Sequence, residues 1–184
     1  PPAAASAENL PIQQPERYVG LWKNERNKTA TRFTLNNGEL RAGATPVRAM
    51  PDGSMMIGSN KIVFINDSAG KPVSFDAITN GDSIRFTAEA EWQPSAADLA
   101  GFAGDWYSDD AEATVRFEAE GSNAFLSIKN SPRIALRPLY KDCFAGSGQI
   151  VWFDRDPSGK VVRMHIGEGR MRDMPFVRAT RKDP

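Results

Sequence analysis

The sequence predicts an all-β protein of two tandem small antiparallel barrels, each of about eight strands, and three observations lead to that fold class. The chain repeats itself: YVGLW at residues 18–22 recurs as FAGDW at 102–106, and FINDSAGKPV at 64–73 recurs as FDRDPSGKVV at 153–162. Short alternating segments are separated by turn-forming clusters every ~8–12 residues, a spacing typical of sandwiches and barrels. An open sheet of that many strands would expose two edges, and closure into a barrel removes them.

The repeat also predicts the domain boundaries. A period of roughly eighty residues is too long for a solenoid unit of ~20–50 residues but suits a small domain. We therefore predict a linker at residues 1–14, a first barrel at 15–93 and a second barrel at 94–184. The Pro/Ala-rich start has little to bury, and because it lacks an initiator methionine we expect a further segment upstream.

Individual elements follow from local patterns. In the first repeat, Phe33 and Leu35 share one face of a strand, which NNG at 36–38 ends as a hairpin turn; further turns are expected at 51–53 and 80–81. SAAD at 95–98 approximates a capping box and predicts a short helix over about 95–101, with Leu99 and Phe102 as a lid on the second half. The second repeat then has strands at 114–119, 126–128, 134–136, 150–153 and 162–166, with turns at 120–123 and 156–159.

Composition excludes several classes of function. Lys and Arg total 23 and so do Asp and Glu, so the chain lacks the basic balance typical of nucleic-acid binding. No apolar run approaches the ~18–20 residues that cross a bilayer as a helix. Cys143 is the only cysteine and His165 the only histidine, which excludes an intramolecular disulfide and zinc sites built from several such side chains. We expect Cys143 to be a small buried hydrophobe and His165, on a polar strand face beside Arg163, to be exposed to solvent.

Each repeat has one tryptophan near its start, in a Gly-x-Trp motif: Trp22 in the first and Trp106 in the second. Lipocalin-like barrels place a tryptophan there, across the barrel end, and cover it with an arginine from the last strand. IRF at 84–86 and FVR at 176–178 supply one arginine each. We therefore interpret Trp22 with Arg85, and Trp106 with Arg178, as structural barrel plugs held by cation–π contact. A ligand stacked on the tryptophans is the alternative.

Other motifs have a structural and a functional interpretation. SAGK at 68–71 matches the Ser-x-x-Lys pattern of penicillin-recognising enzymes, but it lies at a turn rather than a helix start, so we predict a hairpin and no nucleophile. Asp109, Asp110 and Glu112 are expected at a solvated hairpin tip. The charged segment 167–174 is interpreted as a long loop, longer than its counterpart at 80–82 and a candidate for partner contact, although a plain surface loop is an equal alternative.

Four segments together resemble a known family: RPLY at 137–140, IVWFDRD at 150–156, GKVVRM at 159–164 and GDWYSDD at 104–110. They are similar to the C-terminal lipocalin-like domain of penicillin-recognising serine hydrolases, which include the D-aminopeptidases and related β-lactamase-fold peptidases. The resemblance covers residues 17–180 and implies two tandem eight-stranded antiparallel barrels behind a catalytic domain. That catalytic domain, with its helical Ser-x-x-Lys and Tyr-x-Asn, is absent from this sequence, so no catalytic residue is carried over.

The resemblance implies a non-catalytic accessory region that gates or shapes the active site of such a hydrolase. Its partners would be the catalytic domain of the same polypeptide and a peptide substrate, with no nucleic acid, membrane span, cofactor or metal, in a periplasmic or extracellular setting. Our candidates for contact are Arg170, Arg172 and Asp173, whose arginines could meet a carboxylate by bidentate hydrogen bonds. The alternative is a free-standing lipocalin-like protein that binds a small ligand; the sequence leaves open whether the barrels are hollow or filled.

Overall fold

The protein consists of two compact units, the first ending at Ala90 and the second beginning at Glu91. The structure, a computed structural model, describes residues 10–168 and 171–179, with the backbone alone for Met171 and Arg172. Each unit contains one closed antiparallel barrel of eight strands, and each strand pairs with its neighbours in sequence order. The predicted fold class is confirmed, and the units divide just before the boundary predicted between residues 93 and 94.

The first barrel is a meander that closes when its last strand pairs with its first. Its strands are β1 (Gly20–Asn24), β2 (Ala30–Asn36), β3 (Glu39–Ala42), β4 (Thr45–Ala49), β5 (Met55–Ile57), β6 (Asn60–Asn66), β7 (Pro72–Thr79) and β8 (Asp82–Glu89). Asn37 and Gly38, like Asn80 and Gly81, have positive φ angles between 50° and 82°. Such angles are those of a tight two-residue hairpin, so the turns predicted at these two Asn-Gly pairs are confirmed.

The segment before the first barrel is part of its structure from Leu10 onward. Leu10 forms an isolated antiparallel bridge with Ala49, and Ile12 packs against the first core. A short 3₁₀ helix over Pro15–Tyr18 then leads into β1. The predicted linker at 1–14 thus includes residues that contact the barrel, while residues 1–9 lie outside the described part of the chain.

The second barrel repeats the same meander behind one helix, α1 (Ala96–Phe102). Its strands are β9 (Gly104–Ser108), β10 (Ala113–Glu120), β11 (Asn123–Ile128), β12 (Ile134–Tyr140), β13 (Cys143–Gly146), β14 (Gln149–Arg155), β15 (Val161–Glu168) and β16 (Met171–Arg178). Asp109, Asp110 and Glu112 lie between β9 and β10, at the hairpin tip that the sequence predicted.

The predicted long loop at residues 167–174 is wrong. Strand β15 continues to Glu168 and β16 begins at Met171, and these two residues are paired across the hairpin. Residues 79 and 82 are paired in the same way in the first barrel, so neither copy has a lengthened connection here. Charged residues do not distinguish a loop from a strand here, because the outer face of a barrel strand is exposed to water and also carries polar side chains. A register shift between Ile166 and Glu168 accommodates Gly167.

Helix α1 is held by the predicted capping box. The Ser95 hydroxyl oxygen accepts a hydrogen bond from the Asp98 backbone N–H at 3.1 Å, and the Asp98 carboxylate accepts one from the Ser95 backbone N–H at 2.8 Å. Both bonds satisfy backbone donors that a helix start leaves unpaired. The helix then turns Leu99 and Phe102, both fully buried, onto the second core. The lid predicted from these two residues is confirmed.

The capping box makes the pKa of Asp98 a reporter of the helix start. Hydrogen bonds from the Ser95 hydroxyl and then the Ser95 backbone lower the pKa of Asp98 below its ordinary value. Since the ionised carboxylate is the form these bonds favour, their contribution to stability is complete above the ordinary pKa and is lost as pH falls through the lowered one. We expect a ¹³C NMR titration to show this lowered pKa, and Ser95→Ala to raise it towards the value of an unfolded peptide.

Asp156 provides the control for that titration. Its pKa is also lowered, by the Ser158 hydroxyl above all, at a separate turn. Ser95→Ala should therefore leave the Asp156 pKa unchanged. An Asp98 pKa that does not respond to Ser95→Ala would contradict the capping role.

Aromatic rings occupy the interior of both barrels. In the first, the Phe75 centroid lies 5.1 Å from that of Phe64 and 5.6 Å from that of Phe33. In the second, the Phe102 and Phe153 centroids are 4.4 Å apart, and other buried aromatic rings surround them. Rings at these separations are in contact across the barrel, so side chains fill the space where a hollow eight-stranded barrel would hold a ligand.

Candidate functional site

Trp106 and Arg178 form a plug at one end of the second barrel. The β9–β16 register places the two residues opposite each other, and the Arg178 guanidinium carbon lies 4.2 Å from the centroid of the Trp106 ring. The buried indole donates its N–H to the Phe102 carbonyl oxygen at 3.0 Å. The guanidinium also donates to the carbonyl oxygens of Gly101 and Ala103, where α1 ends. Arg178 thus contacts both the end of α1 and the Trp106 ring. Partial burial of the guanidinium lowers the pKa of Arg178.

The glycine of the Gly-x-Trp motif has a physical reason at this site. Gly104 has a φ angle of 128°, and a β-carbon added there would lie 2.9 Å from an Arg178 guanidinium nitrogen. Gly20, its counterpart before Trp22, has a φ angle of 145°. Both angles fall where L-residues with a side chain are strained, which explains why a glycine occupies this position of the motif in both repeats.

The first barrel repeats the tryptophan but not its arginine cover. The Trp22 indole donates to the Tyr18 carbonyl oxygen at 3.0 Å, as Trp106 does to Phe102. Arg85, however, lies on the outer face and pairs with Asp76 on the adjacent strand. The residue opposite Trp22 on β8 is Ala88. The pairing expected between Trp22 and Arg85 is therefore corrected: strand alternation points Arg85 outward, and the register places an alanine where Arg178 lies in the second copy.

The three residues predicted to meet a substrate are not brought together in the described structure. Arg170 lies outside the described residues, and for Arg172 only the backbone position in β16 is described. Asp173 is exposed, and its carboxylate lies 2.7 Å from Nδ1 of His165. The Asp173 carboxylate therefore already has a hydrogen-bonding partner, His165.

His165 is buried, which corrects the expectation that it is exposed. Its ring stacks on Trp152 with centroids 5.1 Å apart and planes 5° from parallel. Nε2 lies 3.0 Å from an Asp154 carboxylate oxygen, while Nδ1 contacts Asp173 at 2.7 Å. Alternation correctly predicted that His165 is on the outer face, but an indole and two carboxylates cover it there, leaving 7% of the residue accessible. Both ring nitrogens are engaged, so neither is open to serve a hydroxyl or thiol nucleophile.

The segment SAGK at 68–71 forms the predicted turn between β6 and β7. The Asp67 carboxylate accepts hydrogen bonds from the backbone N–H groups of Ala69 and Lys71, each at 2.9 Å. Asp156 binds the turn between β14 and β15 in the same way. The four residues belong to a hairpin turn that the Asp67 carboxylate caps, and not to a helix. The spacing of Ser68 and Lys71 therefore does not place them on one helical face.

The remaining candidates are structural. Cys143 is fully buried in β13, as predicted. Within residues 10–168 and 171–179, no group of three His, Cys, Asp or Glu side chains could hold a metal ion. None of the helices in that part of the chain is both long and apolar enough to cross a membrane.

A groove that sequence reasoning missed lies on the outer face of the second barrel, over strands β9, β16 and β15. Its volume is about 280 Å³. The side chains that form it include Tyr107, Asp109, Asp110, Arg163, Pro175 and Val177. These residues are up to seventy positions apart in the chain, and the pairs Tyr107–Val177 and Arg163–Val177 bring them together. Only the strand register, which local sequence patterns do not specify, could have revealed this juxtaposition.

Comparison with known proteins adds no assignment to this picture. The chain matches no protein-family model, and a search of curated proteins finds no significant match.

Proposed function

We propose that this chain is a non-catalytic accessory region of a larger serine hydrolase related to the D-aminopeptidases and β-lactamases. The observation that carries the proposal is the aromatic packing inside both barrels, with ring centroids as close as 4.4 Å. Filled barrels are rigid bodies that present outer surfaces and loops, as an accessory region requires. The resemblance of the four segments described above supplies the class of hydrolase.

The chemistry of the described residues supports a non-catalytic role. An acyl-transfer enzyme needs a nucleophile beside an open base. The sole histidine, His165, has a carboxylate on each ring nitrogen, and Ser68 with Lys71 lies in a turn. Cys143 is buried in the barrel wall. Hydrolysis would therefore belong to the catalytic domain of the same polypeptide, in a periplasmic or extracellular setting.

The filled interiors favour this role over the alternative of a lipocalin-like carrier. A carrier of that kind needs an empty barrel, and Phe33, Phe75 and Phe117 each have at most 1% of their surface exposed. The β15–β16 hairpin stays our candidate for contact with the hydrolase cleft, through Arg170 and Arg172. The proposed effect of that contact is to restrict which peptides enter.

We expect the isolated chain to hydrolyse neither D-amino-acid amides nor a chromogenic β-lactam. The reading frame upstream of Pro1 should encode a domain with a helical Ser-x-x-Lys motif, and the protein containing that domain serves as the positive control. Two results would contradict the proposal: clear turnover by the isolated chain, or a signal peptide that ends directly before Pro1.

A further inference from the structure

The groove on the outer face of the second barrel has two walls of opposite charge and an apolar floor. Val177 lies at its centre, paired with Tyr107 of β9 on one side and with Arg163 of β15 on the other. Asp109 and Asp110 follow at the end of β9. The carboxylates therefore lie in the turn after β9, and Arg163 lies on β15, on the other side of β16. The backbones of β9 and β15 are about 10 Å apart in this row, at two strand spacings.

The charges on both walls have no ion pair within the described part of the chain. Arg163 is directly opposite Asp154, its nearest counter-ion by register, yet Asp154 contacts His165 instead. Asp173 contacts the other nitrogen of the same ring. Both acidic neighbours, Asp154 and Asp173, therefore contact His165. Arg163 is exposed in the groove and has no salt bridge among the described residues.

The apolar floor is also exposed. Val177 has 48% of its surface accessible, the largest exposed fraction among the large hydrophobic residues of the described chain. Pro175 continues this floor along β16, and the partly buried ring of Tyr107 borders it. The groove thus has an apolar strip between charges of opposite sign that have no ion pair among the described residues. A complementary ligand carries a cation at one end, an anion at the other and an apolar group between them.

We propose that this groove binds a short zwitterionic peptide, a dipeptide with free termini and an apolar side chain. Its ammonium group lies against Asp109 and Asp110, its carboxylate accepts hydrogen bonds from Arg163, and its side chain covers Val177 and Pro175. The opposite charges of a dipeptide are at most ~7 Å apart in an extended chain, so a dipeptide fits across β16 between the backbones of β9 and β15, which are about 10 Å apart. A guanidinium suits the carboxylate because it donates two parallel hydrogen bonds.

The equivalent row of the first barrel does not have an acidic group on one side and an unpaired arginine on the other, so the proposed site is present only in the second barrel. The row equivalent to Tyr107–Val177–Arg163 is Lys23–Thr87–Ser74. There, Lys23 pairs with Glu89 at 2.8 Å, and the serine carries no charge. This site is independent of the proposed accessory role, because it requires only the second barrel.

The proposal is tested by ¹H–¹⁵N NMR titration of the whole chain with L-alanyl-L-leucine at pH 7. We expect saturable shifts at the amides of Tyr107, Arg163 and Val177, with a dissociation constant on the order of 1 mM for so open a groove. The N-acetyl and C-terminal amide forms of the same dipeptide should each bind at least ~10-fold more weakly, because each lacks one charge-assisted contact. Absence of saturable shifts, or equal affinity for all three forms, overturns the proposal.

Variants assign each end of the ligand. Arg163→Gln should bind the free acid and the C-terminal amide with equal affinity, and Asp109→Asn with Asp110→Asn should remove the preference for a free ammonium. Arg137→Gln is the matched control, because Arg137 is exposed on β12 and outside the groove. Equal losses in the Arg137 and Arg163 variants contradict the site. The comparison of capped and free dipeptides in the wild-type protein decides the question even if a variant does not fold.

Discussion

Replacement of Trp106 by alanine is expected to destabilise the second barrel by about 3–5 kcal/mol, the cost typical of truncating a buried large aromatic residue. The indole has no exposed surface, and its ring centroid lies 5.6 Å from that of Phe153. Its loss leaves a cavity and removes the hydrogen bond to the Phe102 carbonyl oxygen. Urea unfolding followed by circular dichroism gives the change in free energy, and hydrogen exchange in β9 and β16 locates it.

Two further variants separate packing from hydrogen bonding. Trp106→Phe keeps most of the ring but not the N–H, so it should cost less than Trp106→Ala. Trp152→Ala is the control, since that indole lies on the outer face and is only partly buried against His165. A loss of stability in Trp106→Ala no greater than that in Trp152→Ala would contradict the role of Trp106 as the plug.

Arg178→Ala is expected to give the second largest loss, about 2–4 kcal/mol, from the cation–π contact and the charge-assisted hydrogen bonds together. The guanidinium contacts the Trp106 ring and the carbonyl oxygens of Gly101 and Ala103. These carbonyls lie at the end of α1, so faster hydrogen exchange in that helix should accompany the loss. Arg178→Lys should be intermediate, because an ammonium lacks the planar fork that reaches two carbonyls and a ring together.

Arg85→Ala provides the matched control for Arg178. Arg85 was expected to have the same role in the first repeat, but it is exposed and pairs with Asp76 at the barrel surface. A surface ion pair contributes little to stability. The loss in Arg85→Ala should therefore be clearly smaller than that in Arg178→Ala, and equal losses would contradict the assignment.

Local signals were sufficient for much of the fold. Asn-Gly pairs predicted tight turns because positive φ angles are tolerated there, and Ser95 with Asp98 predicted the start of α1. The same signals identified SAGK at 68–71 as a turn and not a helix. Each of these features is decided by residues within a few positions of one another, so the sequence reveals it without knowledge of distant contacts.

Long-range register explains where the structure departs from the sequence-based predictions. The place of Arg85 near the end of the repeat predicts a contact with Trp22, but the register of β1 with β8 puts Ala88 opposite Trp22. His165 was placed on the correct face, yet its burial depends on Trp152, Asp154 and Asp173 from two neighbouring strands. The charges at 167–174 predict a loop, whereas cross-strand pairing continues to Glu168.

The sequence by itself determined two tandem closed barrels, several of their turns and the capped lid helix. The duplication is visible by comparing the two halves of the sequence, and alternation and turn chemistry involve residues within a few positions of one another. Only the tertiary structure decided that the barrels are filled, that one arginine covers a tryptophan and the other does not, and that Tyr107, Val177 and Arg163 share one groove. These features depend on which residues lie side by side across strands. A shift of one residue in register would exchange the inner and outer faces of a strand, and neighbouring residues alone do not specify that register.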